Sequence, residues 1–291
     1  MSSRALRITR TALRFARRIL FSVLGIVAVA LVAANLFRHP RADRDWEPDW
    51  ERSPAVASFD GNAIVIENFR DFRWDQPNVP SRETWSTETF NLDELVAADF
   101  IVEPFGAVGA AHTMLSFEFR PKDGGAPRHV VISMETRRER GEPFSTWKGL
   151  FNQYELAYVI GSEEDLVALR AVARGHELYR YPLKATPPAL RDLFAGMALT
   201  ADSLRAAPEF YGTLWNSCTT RIVMHAEEAT GVSIPLSWRY VLPGFSGELA
   251  YDLGLVGDGA TSFAELEEKA KIGQKARDAY GAAGFSARIR D

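Results

Sequence analysis

The chain has 291 residues, 34 Lys and Arg against 38 Asp and Glu, and a formal net charge of −4. Much of the basic charge lies at the N-terminus, so the rest is more acidic than the total, which argues against a nucleic-acid partner. A single cysteine, Cys218, excludes an intramolecular disulfide, and the 46% hydrophobic content must supply the core.

In chain order, residues 1–18 read as a basic cytoplasmic segment, with Arg4, Arg7, Arg10, Arg14, Arg17 and Arg18 and no acidic residue. Ile19 to Phe37 is uncharged, and at about 1.5 Å per residue it would reach roughly 28 Å, which predicts a transmembrane helix. The alternative is a cleaved signal peptide, but the run ends in Asn35-Leu36-Phe37-Arg38 and not in small residues of the Ala-x-Ala kind. The positive-inside rule then expects a single-pass inner (cytoplasmic) membrane protein, N-terminus cytoplasmic, with the following domain on the periplasmic side. Residues 38–57 read as an exposed linker, 58–257 as one domain and 258–291 as a helical tail.

Strand signals begin at Ala63–Asn68 after the Asp60-Gly61 turn and recur at Trp85–Phe90 and Phe100–Val102. His112–Phe119 and His129–Glu135 alternate in character, and the intervening Pro121–Pro127 turn residues make them an antiparallel hairpin. A register centred on Gly124-Gly125 puts His112, Met114 and Ser116 on one face with Ser133 and Glu135. Arg137, Arg138 and Arg140, interspersed with Glu139, read as a solvated loop or, more sharply, as a contact for lipid phosphates. Glu155–Gly161 is a further strand, Ser162 opens a helix to Ala173, Glu177–Leu183 is extended, and Pro187-Pro188 starts a helix to about Leu204. Phe263 to Tyr280 reads as one charged, Ala-containing helix. The order of elements predicts an α+β fold.

Asn216 or Ser217 is the N-cap of a helix whose first turn holds Cys218, where exposed N–H groups and the helix dipole favour a thiolate. The bland alternative is a small buried hydrophobe. Among the histidines, His225 is about 10 Å farther along the same helix, His39 precedes the domain, His176 sits in a charged turn and His129 opens a strand toward solvent. His112 is the candidate base, after a run of small residues that leaves room for substrate. Its bland alternative is a core histidine bonded to a carbonyl. Glu135 is placed to fix its tautomer. Asn216, Ser217 and Thr219 flank the thiol as candidates for substrate and oxyanion contacts. Gly106-Ala107-Val108-Gly109 lacks a dinucleotide-binding context, and no zinc-like spacing occurs, so neither a cofactor nor a metal is expected.

His112-Thr113-Met114-Leu115-Ser116-Phe117, Val131–Glu139, Leu150-Phe151-Asn152-Gln153-Tyr154-Glu155, Asn216-Ser217-Cys218-Thr219-Thr220-Arg221 and Leu242-Pro243-Gly244-Phe245-Ser246 together resemble the Lnb N-terminal periplasmic domain family, formerly a domain of unknown function. The resemblance spans about Ala55 to Val256 and implies a permuted papain-like thiol fold, akin to lecithin–retinol acyltransferase, with histidine before cysteine. It implies Cys218 as nucleophile and His112 as base. The family is associated with lipoprotein N-acylation, so the resemblance implies acyl transfer or amide and ester hydrolysis on a lipid, lipoprotein or envelope peptide at the membrane. The alternative is a non-catalytic envelope scaffold or binding module on the same core.

Overall fold

The computed structural model describes residues 17–27, 29, 32–33, 37–77 and 79–291. They belong to two compact units, Met1–Pro40 and Arg41–Asp291. In the first, residues 17–27, 29, 32 and 33 are helical. Among the described residues no helix is long and apolar enough to cross a membrane, which corrects the transmembrane expectation for Ile19–Phe37. The uninterrupted described helix, 17–27, rises about 16 Å against a hydrocarbon core of about 30 Å, and it begins with two arginines. Residues 28, 30, 31 and 34–36 of the expected span, and residues 1–16 of the basic segment, lie outside the described residues.

The second unit is α+β. Its strands are β1 (Ala55–Asp60), β2 (Ala63–Arg70), β3 (Arg73–Gln76), β4 (Val79–Arg82), β5 (Trp85–Asn91), β6 (Leu95–Pro104), β7 (Ala111–Phe119), β8 (Arg128–Arg137), β9 (Glu155–Ser162) and β10 (Tyr179–Pro182). The main sheet runs β1-β2-β9-β8-β7-β6-β10, with β5 also on β2 and a separate β3-β4 pair. It is mixed, because β2 meets β9 in parallel at Arg70 and Gly161 while its other pairs are antiparallel. Gly161 is required at that crossing, since a Cβ there would lie 2.5 Å from the Arg70 carbonyl oxygen.

The helices are α1 (Thr146–Leu150), α2 (Glu163–Ala168) continuing as a π-helical turn over Leu169–Ala173, α3 (Pro187–Ser203), α4 (Cys218–Thr230), α5 (Ser246–Asp252), α6 (Phe263–Ala270), α7 (Gly273–Ala279) and α8 (Phe285–Arg288). The expected 263–280 helix is thus two helices. They part at Lys271-Ile272, where Gly273 N donates to Glu177 Oε1 at 2.6 Å and leaves no room for a Cβ.

Period-2 alternation sorts the central strands into two faces. On one, Ile101, Met114, Val131, Ala157 and Val159 are buried beneath α2, α7 and α8. On the other, Phe100, Leu115, Phe117, Ile132 and Ile160 are buried beneath α3, through Leu190, Phe194 and Met197, and beneath α4, through Cys218 and Ile222. Each large side chain so buried contributes about 1.5–3 kcal/mol.

The β7–β8 hairpin pairs Met114 with Ser133 and Phe119 with Arg128, so its centre falls at Asp123-Gly124, one residue before the expected turn. Each partner is therefore displaced by two residues. An even displacement preserves face parity, and His112, Ser133 and Glu135 share a face as expected.

Within the segment 38–57, residues 38–43 are largely exposed as a linker would be, but the middle of the segment is not. Trp46 and Trp50 are each 5% exposed, Pro48–Trp50 forms a 3₁₀ turn, and Arg137 stacks on the Trp46 ring at 4.3 Å. Aromatic burial outweighs the Pro-rich, charged composition of this segment.

Candidate active site

The start of α4 is fixed locally. The Ser217 side chain accepts from Thr220 N at 3.4 Å and Thr220 Oγ1 accepts from Ser217 N at 2.8 Å, a reciprocal capping box. Cys218 is therefore the first helical residue, and it is 3% exposed. Asn216 Nδ2 donates to Phe210 O at 2.7 Å and its Oδ1 accepts from Arg221 Nε, while Arg221 also pairs with Glu209. Thr219 Oγ1 lies 3.0 Å from Thr113 Oγ1, tying α4 to β7.

His112, at the head of β7, has Nε2 2.7 Å from Ser133 Oγ and 3.1 Å from Glu135 Oε1; Ser133 Oγ donates to the same carboxylate oxygen at 2.6 Å. The ring and the Cys218 thiol line the same cavity within electrostatic reach of each other. With Nε2 held by Ser133 and Glu135, Nδ1 is the atom left for sulfur. His112 and Cys218 approach from opposite faces of the sheet and meet around its end.

The charges at this end are coupled. Burial opposes protonation of His112, but the charges of Glu135 and Cys218 outweigh it and hold the imidazole up at about 9. Burial likewise raises the Cys218 thiol, yet His112 and contacts from Thr113 bring it down to about 7. Between those values the pair stands as thiolate and imidazolium. Glu135 is depressed well below the usual carboxylate range, against its burial, by His112 and Arg170.

Three participants were not read from the sequence. Arg170, 1% exposed, bonds Glu135 and lies 2.9 Å from Glu103 Oε2, a close ion pair with poor hydrogen-bond alignment. Tyr211 lines the same cavity as Cys218; burial, with the Cys218 and Glu135 charges, holds its phenol pKa well above the ordinary value. His176 Nδ1 lies 2.7 Å from Glu103 Oε1. The sequence signal for Arg170 was a lone arginine within an apolar helical run.

A cavity of about 260 Å³ opens onto this cluster, with His112, Glu135, Tyr211 and Cys218 on its lining and Trp50, Phe105 and Phe144 as aromatic walls. Ser217 lines a smaller adjoining cavity of about 90 Å³ that Cys218 shares. The structure thus brings Cys218, His112 and Glu135 together, with Ser217 beside them. The Asn216 and Thr219 side chains are committed to the contacts above and line neither cavity.

The small residues before His112 also serve packing. Gly109, at φ +85, accepts from Gly244 N at 2.9 Å, and a Cβ on Gly244 would sit 3.0 Å from the Gly109 Cα.

The other histidines are placed elsewhere. His225 Nε2 lies 2.8 Å from the Tyr158 hydroxyl, with burial and Arg221 lowering its pKa to about 4. His129 is not solvated as expected, because its side chain is only 6% exposed, 3.8 Å from Glu118. Burial outweighs the nearby acids and lowers its pKa. Among the described residues no group of three or more His, Cys, Asp or Glu could hold a metal ion.

A buried thiol at a helix start, an imidazole braced by a carboxylate and an adjoining cavity on an α+β sheet define the class of the domain. The chain belongs to the Lnb N-terminal periplasmic domain family, whose model matches residues 81–244. No curated protein and no solved structure matches it, so the permuted papain-like arrangement that the resemblance implied finds no solved counterpart.

Proposed function

We propose that this periplasmic domain is a thiol-dependent acyltransferase or amide and ester hydrolase, with Cys218 as nucleophile, His112 as general base and acid, and Glu135 as the group that orients His112. The observation that carries the reading is the placement of Cys218 and His112 together on one cavity, with Ser133 and Glu135 on the far ring nitrogen. The thiolate attacks the carbonyl carbon, and the carbonyl π electrons move to oxygen. The Tyr211 hydroxyl, on the same cavity as Cys218, is the donor available to that developing oxyanion. Collapse breaks the bond to the leaving group, which takes the imidazolium proton, and leaves an S-acyl enzyme. An amine or water then attacks the thioester carbonyl, giving its proton to His112, and collapse breaks the C–S bond to return Cys218 as the thiolate beside the imidazolium. The substrate class is an acylated lipid, lipoprotein or envelope peptide.

The test is incubation of the full chain with a short-chain thioester, reading acyl-enzyme by intact-protein mass and turnover by product release. Wild type forms a single S-acyl adduct, and Cys218→Ala loses about a thousandfold or more in turnover. Retained turnover in Cys218→Ala would refute the mechanism. Ordinary thiol reactivity at Cys218 would instead indicate a binding module built on the same core.

A further inference from the structure

We propose that the cavity beside Cys218 contains a subsite for an anionic group of the substrate, a phosphate or carboxylate, and that Arg138 is the residue that binds it. The proposal rests on the acyl-transfer reading above and specifies the chemistry of the molecule that enters. Arg138 lines the same cavity as Cys218 and His112, together with Thr136, Arg174 and His176.

The carboxylates at the cavity are already matched. Glu103 has Arg170 Nε at 2.9 Å, His176 Nδ1 at 2.7 Å and Arg174 Nη1 at 3.6 Å. Glu135 has Arg170, Ser133 and His112. The thiolate is balanced by the imidazolium it faces. Two carboxylates and a thiolate thus stand against Arg170, Arg174 and the His112 cation, and Arg138 is surplus to that balance.

Among the described residues the Arg138 guanidinium makes no ion pair and no side-chain hydrogen bond, while its backbone carbonyl accepts from Glu47 N at 3.1 Å. An acid within electrostatic reach of Arg138 is Asp49, which is 4% exposed with one oxygen unpartnered. Burial raises the Asp49 pKa above its ordinary value although Arg70 and Arg138 oppose the rise, and among the described residues its carboxylate forms no ion pair with Arg138.

The neighbouring arginines are spent differently. Arg137 donates to the Trp50 carbonyl at 2.8 and 3.0 Å and stacks on Trp46, and Arg140 pairs with Asp45 at 3.4 Å. Of the three, Arg138 alone lines the cavity. A half-buried guanidinium facing aromatic walls without a counter-charge is costly when empty. Its planar fork is matched bidentately by phosphate or carboxylate oxygens, and the aromatic surroundings strengthen that attraction.

The experiment measures alkylation of Cys218 by iodoacetamide in the full chain, with n-butyl phosphate, pentanoate or pentanamide added as protecting ligands at constant ionic strength. Protection is expressed relative to each variant's own unprotected rate. At least one anion is expected to protect wild type at a concentration about tenfold lower than the neutral amide. That preference disappears in Arg138→Gln, returns in part in Arg138→Lys, and persists in the surface control Arg140→Gln. The phosphate and carboxylate arms tell a phospholipid-like substrate from a peptide-like one. Equal protection by the amide and both anions, or an undiminished anion preference in Arg138→Gln, overturns the proposal. Failure of the nucleophile reading shows separately, as an unprotected rate that follows an ordinary thiol titration, while the protection ratio still decides the anion subsite.

Discussion

Two buried ion clusters share one face of β6 and β7, and they are built for opposite ends. Asp99 and Ser116 anchor the first, Glu103 and His112 the second, four residues along the same strands, about 13 Å away. In the first, Arg290 places Nη2 2.8 Å from Asp99 and 2.7 Å from Glu163, Nη1 reaches the other Glu163 oxygen at 2.8 Å, and Ser116 donates to Glu163. Arg180 takes the remaining Asp99 oxygen at 2.7 Å. In the second, Arg170 bridges Glu103 and Glu135, but the chain of charges continues through His112 to a thiol on a cavity. Depressed carboxylates occur in both, because Arg290 holds Glu163 low against burial just as His112 and Arg170 hold Glu135 low. Buried, perturbed charge does not by itself mark a site. What distinguishes the second cluster is that its charges end on a titratable pair with access to a ligand.

Breaking the closed cluster should give the largest change in stability and none in chemistry. Arg290→Met leaves Glu163 and Asp99 short of a cation and is expected to cost about 3–5 kcal/mol in urea unfolding. The pH profile of Cys218 alkylation by the folded fraction should not move.

The open cluster should respond the other way. In wild type the thiolate forms as pH rises through about 7 and the imidazolium is lost as pH rises through about 9, so acyl transfer should follow a bell between those limbs. His112→Ala removes the charge that lowers the thiol while burial still raises it. The alkylation limb should then move alkaline to about 8.5 or above, a shift of about 1.5 units or more, with little change in the unfolding midpoint. An unmoved limb would mean that His112 does not govern the thiol. Tyr211→Phe sharpens the contrast further: loss of its hydroxyl from the Cys218 cavity should slow acyl-enzyme formation about tenfold, or about 1.4 kcal/mol of barrier. The smallest effect is Ser217→Ala, which removes the cap of α4 and should cost about 1 kcal/mol of stability.

Local chemistry made part of the site readable. The alternation of β7 and β8 placed His112, Ser133 and Glu135 on one face, and that grouping survived a two-residue error in pairing because only parity matters. The Asn216-Ser217-Cys218 context placed the thiol on the first helical turn, and Ser217 proved to be the cap. Hydropathy misled at Ile19–Phe37, where apolar composition was read as a continuous spanning helix that the described residues do not form. It also missed the burial of Trp46 and Trp50 in a segment whose prolines and charges suggested exposure.

The sequence by itself determined the strand parity around His112, the capped helix start at Cys218 and the family, because pleat and capping act over a few residues. Only the tertiary structure decided that α4, packed on one face of the sheet, meets a histidine belonging to the other around the sheet's end. It alone joined Arg170, Tyr211 and Arg138 to that meeting, because such contacts depend on long-range packing that no local period encodes.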